Sequence, residues 1–129
     1  MSQHILVVED DRVLRELLVA SLNKQGWEVQ QVCTCADAYA LAQTDPPRLL
    51  LLDVELPDGN GWTLLALLRN GNLAANIPVV VISSLPVTRS ELREHRVDTF
   101  LPKPFSVQHL ITVLQGLLGK SGPRTWTEN

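Results

Sequence analysis

Four groups of reactive side chains stand directly behind apolar runs in this chain. Glu9, Asp10 and Asp11 follow Ile5–Val8, and Asp53 follows Leu49–Leu52. Ser83 and Ser84 follow Val79–Ile82, and Lys103 comes two residues after Thr99-Phe100-Leu101. Each has an ordinary explanation on its own: acids behind a strand often cap the next helix, Asp and Ser open turns, and a single lysine is usually solvated. Their common position relative to the runs calls for another. Open parallel sheets bind ligands beyond the carboxyl ends of their strands, so these runs, as strands of one sheet, would gather carboxylates, a hydroxyl and an amine on one rim.

Such a set has a coherent use. Crowded carboxylates repel, and burial raises their pKa values unless a cation sits among them. Mg²⁺ suits the position, because it takes hard oxygen ligands, one or two carboxylates and a phosphate oxygen. Lys103 adds a second positive charge, and the Ser83 hydroxyl can donate to a phosphoryl oxygen. No His, Cys or Ser is placed as a base-activated nucleophile, which leaves a carboxylate as the attacking group. The work left to the protein is positioning and charge neutralisation, as in phosphoryl transfer generally.

The rest of the sequence predicts the frame that would hold this rim. Strand-like and helix-like segments alternate, the pattern of a parallel sheet covered on both faces. His4–Val8, Leu49–Asp53 and Ile77–Ser83 read as strands buried on both faces, Trp27–Val32 as an edge strand and Thr99–Leu101 as a short last strand. Helices are expected from Asp11-Arg12 to Gly26, over Ala36–Gln43 behind a Thr34 cap, and over Trp62–Arg69. A short one should run from the capping-box spacing Thr88–Glu91 to about His95, and a last one from Ser106 to Gly119. Pro57–Gly61 reads as a loop. Val13 and Leu17 are assigned to core packing, and Trp62 and the leucines after it to core and rim packing. The expectation is a five-stranded, doubly wound α/β domain of flavodoxin-like type, strand order 2-1-3-4-5, over residues 1–119, with 120–129 a tail or the start of a linker.

Composition narrows the function classes. The 129 residues are 45 % hydrophobic and 19 % charged, a folded single domain. A net charge of −3 argues against nucleic-acid binding by this domain. No apolar run approaches a membrane span, and Met1-Ser2-Gln3-His4 does not resemble a signal peptide, so a cytoplasmic protein with no membrane partner is expected. Cys33 and Cys35 are too close for an unstrained disulfide and lack partners for a zinc site; they read as reduced thiols. His4, His95 and His109 do not stand at the carboxyl end of a strand and read as structural or surface residues.

Four motifs, in order and at matching separations, make the chain similar to response-regulator receiver domains of two-component and phosphorelay signalling, the CheY-like superfamily, over residues 4 to about 119. They are Ile5–Asp11, Leu51–Gly61 with its Asp53-Val54-Glu55-Leu56-Pro57-Asp58-Gly59 core, Val79–Ser83, and Phe100-Leu101-Pro102-Lys103-Pro104-Phe105. The resemblance implies that Asp53 is the phosphoacceptor, served by a histidine kinase or phosphotransfer protein. It implies that Glu9 and Asp10 are the acidic pair for Mg²⁺ (or Mn²⁺), Asp10 the more direct ligand, and that the backbone carbonyl of Glu55 joins the metal shell. Ser83 would follow the phosphoryl group, Lys103 would pair with it, and Phe100 would turn inward as an aromatic switch that alters an output. The Lys103-Pro104 bond is implied to be cis. Relatives dock their kinase on the first helix.

The chain departs from the usual pattern in places. Phe100 stands where Tyr is usual, Arg96-Val97 where a Gly-Ala turn is typical, and residues 84–99 form a short segment with Pro86 just behind the serines. Two rival readings use the same residues. One is a receiver-like interaction module that is never phosphorylated; the complete site argues against it. The other is a phosphohydrolase with Asp53 as nucleophile and Glu55 as acid, which needs a substrate cap that 129 residues leave no room for. A flavin-binding reading fails for want of a hydroxyl- and glycine-rich loop behind the first strand.

Overall fold

The computed structural model describes residues 4–71 and 75–119. The expected tail over 120–129 and the start at Met1–Gln3 lie outside the described residues. The elements in chain order are β1 (His4–Val8), α1 (Arg12–Lys24), β2 (Glu28–Val32), α2 (Cys35–Thr44) and β3 (Leu49–Asp53). There follow β4 (Glu55–Leu56), β5 (Gly59–Asn60), α3 (Gly61–Asn70), β6 (Val79–Ser83), α4 (Arg89–Glu94), β7 (Thr99–Pro102) and α5 (Val107–Leu118). The main sheet is parallel, in the order β2-β1-β3-β6-β7. Counting only its five strands, this is the expected 2-1-3-4-5.

Strand alternation divides the core in two. Ile5, Val7, Leu49, Leu51, Val80, Ile82 and Leu101 face α1 and α5, meeting Leu18, Leu22, Leu110 and Leu114. Leu6, Val8, Leu50, Leu52, Val79 and Val81 face α2 and α3, meeting Ala38, Ala42, Leu64, Leu65 and Leu68. Strands apolar on both sides fit the centre of such a sheet, and β1, β3 and β6 are fully buried along their length. The more polar β2 occupies an edge, as expected.

The helix starts follow their caps. Thr34 accepts the Asp37 N–H at 3.1 Å, Ser106 accepts the His109 N–H at 3.2 Å, and the reciprocal capping box of Thr88 and Glu91 is complete. Two expectations need correction. Pro57–Gly61 is not wholly a loop, since Gly59–Asn60 pairs antiparallel with Glu55–Leu56 in a small hairpin. Val13 and Leu17 are not core residues: they are 77 % and 49 % exposed. The reason is the line of contact on α1. Leu14, Leu18 and Leu22, four residues apart, form the row that meets the sheet, and Val13 and Leu17 fall in the next row outward. Leu67 of α3 is likewise exposed, while Leu64, Leu65 and Leu68 are buried.

Candidate functional site

Alternation along the strands explains which side chains meet. Glu9 lies two residues on from Val7, Asp53 two on from Leu51, and Lys103 two on from Leu101, so all three continue the face that packs on α1 and α5. Register levels them. Val8 is opposite Leu52, which sets Glu9 beside Asp53, and Asp53 is opposite Ile82, itself opposite Leu101. Lys103 starts one strand further away, and its long stem spans the end of β6 to reach Asp53.

The result is a buried ion triad. Asp53 is 1 % exposed and Glu9 fully buried. The Lys103 ammonium donates to Asp53 Oδ2 at 2.8 Å and lies 3.1 Å from Glu9 Oε1 and 3.4 Å from Oε2. Burial pulls the Lys103 pKa down, but the hydrogen bonds and charges of Asp53 and Glu9 outweigh it and the ammonium ends above its usual value. The other Asp53 oxygen accepts the Glu55 N–H at 2.9 Å. Gly61 makes room beneath this strand end, because a Cβ there would sit 2.5 Å from Val54 Cα and 3.0 Å from Asp53 O.

One lysine does not balance the acids. Carboxylate oxygens of Glu9, Asp10 and Asp53 come within 4.8 Å of one another. Burial pushes the Glu9 carboxyl from 4.5 up to about 7; the Asp11 N–H works against this and the Asp53 charge adds to it. Lys103 is the one cation that meets both buried carboxylates, those of Glu9 and Asp53, among the described residues. Three carboxylates gathered this closely, those of Glu9 and Asp53 buried, make a hard-oxygen donor set suited to a divalent cation, so the residues fit Mg²⁺ or Mn²⁺. Asp11 stands apart: its carboxylate caps α1 through Val13 and Leu14, the ordinary role of an acid behind a strand.

Ser83 and Phe100 belong to the other face. Ser83 continues the row of Val79 and Val81, while Phe100 is half-buried against that core and opposite Val81. The Ser83 hydroxyl is engaged in its own loop, donating to Leu85 O at 3.1 Å and accepting the Leu85 N–H at 2.9 Å. The backbone links it to the lysine, since the Lys103 N–H donates to Ser83 O at 2.8 Å. The Lys103-Pro104 bond is cis, as the motif implied. The Glu55 carboxylate accepts the Ser84 hydroxyl at 2.8 Å, while its backbone N–H serves Asp53.

Three contributors escaped the sequence reading. Asp58, in the hairpin turn, accepts the N–H groups of Cys35 and Ala36 at 2.8 and 3.1 Å, which holds its carboxyl below the usual range. Arg69 donates to the carbonyls of Ala75, Ile77, His95 and Arg96. Arg15 donates to the carbonyls of Glu9 and Asp10. Only Arg15 left a trace in the sequence, as a basic residue in the first turn of a helix, where the dipole disfavours positive charge. Cys33 and Cys35 are free thiols, and His95 stacks on Trp62 with ring centroids 5.0 Å apart. A cleft of about 450 Å³ around Arg69, Arg96 and Asp98 is larger than the roughly 380 Å³ cleft beside Ser83, but it contains none of these strand-end groups.

No helix among the described residues is long and apolar enough to cross a membrane. Among curated proteins, the chain is 30 % identical over 119 residues to the DNA-binding dual master transcriptional regulator RpaA of Synechocystis, covering 91 % of this chain and 49 % of that protein. It is 30 % identical to the response regulator MprA of Mycobacterium bovis, covering 100 % of this chain and 56 % of MprA. The chain thus spans about half the length of these relatives. Among solved structures, a putative response regulator from Chloroflexus aurantiacus superposes with a TM-score of 0.82 at 25 % identity, over 93 % of this chain and 100 % of that one. The chemotaxis response regulator CheY4 of Vibrio cholerae shares the fold, with a TM-score of 0.83 at 22 % identity, over 92 % and 100 %. A family model for the response regulator receiver domain matches residues 5–115, a span that holds every strand-end group described above, and on that match the chain belongs to the receiver-domain family of two-component response regulators.

Proposed function

We propose that the domain accepts a phosphoryl group on Asp53 from a phosphohistidine of a histidine kinase or phosphotransfer protein, in the cytoplasm, and that the phosphorylated state presents an altered surface to an output domain or partner. The observation that carries this reading is the buried Asp53 carboxylate with Lys103 at 2.8 Å and the acids of Glu9 and Asp10 alongside. A carboxylate needs no base. An Asp53 oxygen attacks phosphorus, the P–N bond breaks, and its electron pair leaves with the imidazole nitrogen. Glu9, Asp10, Asp53 and the Glu55 carbonyl would hold Mg²⁺ or Mn²⁺, which when bound neutralises charge on the carboxylates and the phosphoryl oxygens.

The chain's own residues supply the rest. Lys103 moves its contact from Asp53 Oδ2 to a phosphoryl oxygen and stabilises the added charge. Ser83 leaves its turn with Leu85 and donates to another phosphoryl oxygen, and Phe100, on the same sheet face, packs into the space behind it. The Phe ring makes this move without the hydroxyl contact a Tyr would add. The domain acts on itself only, catalysing its own phosphorylation and dephosphorylation and no turnover of a separate substrate. Residues 1–119 form the switching unit, and 120–129 serve as a tail or linker to whatever reads it.

Incubation with acetyl phosphate and Mg²⁺ should add the mass of one phosphoryl group to the wild-type domain and nothing to Asp53→Asn, and EDTA should abolish the gain. An adduct persisting on Asp53→Asn would move the acceptor to Asp10 or Asp11. A folded wild type that never gains the adduct would favour an interaction module instead.

A further inference from the structure

We propose that Arg15 is a positioning residue for the acidic pair: its guanidinium brackets the backbone carbonyls of Glu9 and Asp10 and so holds both carboxylates toward Asp53. Arg15 Nη1 donates to Glu9 O at 2.8 Å and reaches Asp10 O at 3.4 Å, and Nε donates to the Gln31 side chain of β2 at 3.2 Å. The bracket fills a gap left by the sheet. The Glu9 N–H still finds Val32 O at 3.2 Å, but β2 ends at Val32 and supplies no donor for the carbonyls that follow. Two successive carbonyls converge on one cation, and this fixes the peptide planes on either side of Asp10. With the carbonyls turned to α1, the Glu9 carboxylate lies against Lys103, and that of Asp10 stays near those of Glu9 and Asp53. The helix dipole opposes a cation in this turn, whereas the bracket and the neighbouring acids favour it.

This inference rests on the metal-assisted phosphoacceptor reading and adds a residue that touches neither metal nor phosphate. Outer-shell groups that orient metal ligands commonly change affinity about tenfold or more when removed. Calorimetric titration of Mg²⁺ into wild type, Arg15→Ala, Arg15→Lys and Arg12→Ala tests it. Arg12 is the control, because it removes the same charge from the same turn but, among the described residues, pairs with exposed Glu16 and not with the strand end. The expected result is a Kd about tenfold weaker for Arg15→Ala, an intermediate value for Arg15→Lys, which keeps the charge but not the fork, and wild-type affinity for Arg12→Ala. In the metal-free protein, amide shifts of residues 9 and 10 should move in Arg15→Ala and stay in place in Arg12→Ala. If Arg15→Ala does not fold, the lysine variant still reads the bracket. Equal affinity in wild type and the Arg15 variants, or equal losses at Arg12 and Arg15, would overturn the role of Arg15 alone. A wild type that binds no Mg²⁺ would overturn the metal reading together with it.

Discussion

Glu9 illustrates how a single carboxyl can report on the state of the site. Its pKa rises from 4.5 to about 7, chiefly by burial. Between those values the folded state binds a proton that the unfolded state has lost, so stability falls as pH rises across the window. In metal-free protein, denaturant unfolding should therefore show stability declining from about pH 4.5 to about pH 7, and Glu9→Gln should flatten that decline. Adding Mg²⁺ at pH 8 should stabilise the wild type more than Glu9→Gln, because binding to the folded state adds stability by mass action. An unchanged slope in Glu9→Gln would show that Glu9 is not the titrating group. Gly61 makes a steric counterpart. An alanine methyl there would meet backbone at 2.5 Å, which cannot swing aside. Gly61→Ala should cost about 1–3 kcal/mol, read as a lowered denaturant midpoint. Unaltered stability would mean that α3 starts elsewhere in solution.

At the scale of elements, α4 differs from the other helices. It has six residues and none is buried. Its capping box secures the start, while its far end is tied down by Arg69, which donates to His95 O at 3.2 Å and Arg96 O at 2.7 Å, and by the stack of His95 on Trp62. Arg96 itself has φ of 55°, a conformation usually left to glycine, and the grip of Arg69 on its carbonyl holds it there. A short helix without buried anchors opens cheaply. Residues 84–98 should exchange amide hydrogens faster than Leu49–Asp53 in the unphosphorylated domain, and beryllofluoride, which mimics the phosphoryl group, should slow them. Equal protection before activation would rule out this segment as the mobile part of the switch.

At the scale of the whole molecule, the contacts of Lys103 offer the route by which a phosphoryl group on Asp53, under the proposed function, would reach a distant surface. Lys103 holds Asp53 with its side chain and Ser83 with its backbone N–H, so it links Asp53 to both β6 and β7. Phe100 sits on β7 and Ser83 on β6, opposite one another in the sheet's register but for two residues. Removing the ammonium should therefore uncouple the ends of this chain of contacts rather than prevent phosphorylation outright. Lys103→Ala should still take up phosphate to some extent, yet its amide shifts near Ser83 and Phe100 should change far less on phosphorylation than those of wild type. Matching shift changes in the two proteins would take Lys103 out of the switching role.

The sequence alone was enough for the five strands of the main sheet, the caps at Thr34, Thr88 and Ser106, and the positions of the groups behind those strands. A strand buried on both faces must be apolar throughout, as Leu49–Leu52 and Val79–Ile82 are, and a helix start must satisfy its free N–H groups, as Thr34, Thr88 and Ser106 do. These are local requirements, written in adjacent residues. What only the tertiary structure decided depends on neighbours far apart in the chain. Whether Val13 and Leu17 face the core turned on which row of α1 meets the sheet, and no periodicity distinguishes two adjacent rows of leucine and valine. The brackets made by Arg15, Asp58 and Arg69 bond to backbone carbonyls and N–H groups, which every residue carries, so their partners leave no mark in the sequence. The meeting of Glu9, Asp53 and Lys103 lay between these cases: their positions behind the strands were legible, but register and strand order brought the charges within 2.8 to 3.4 Å.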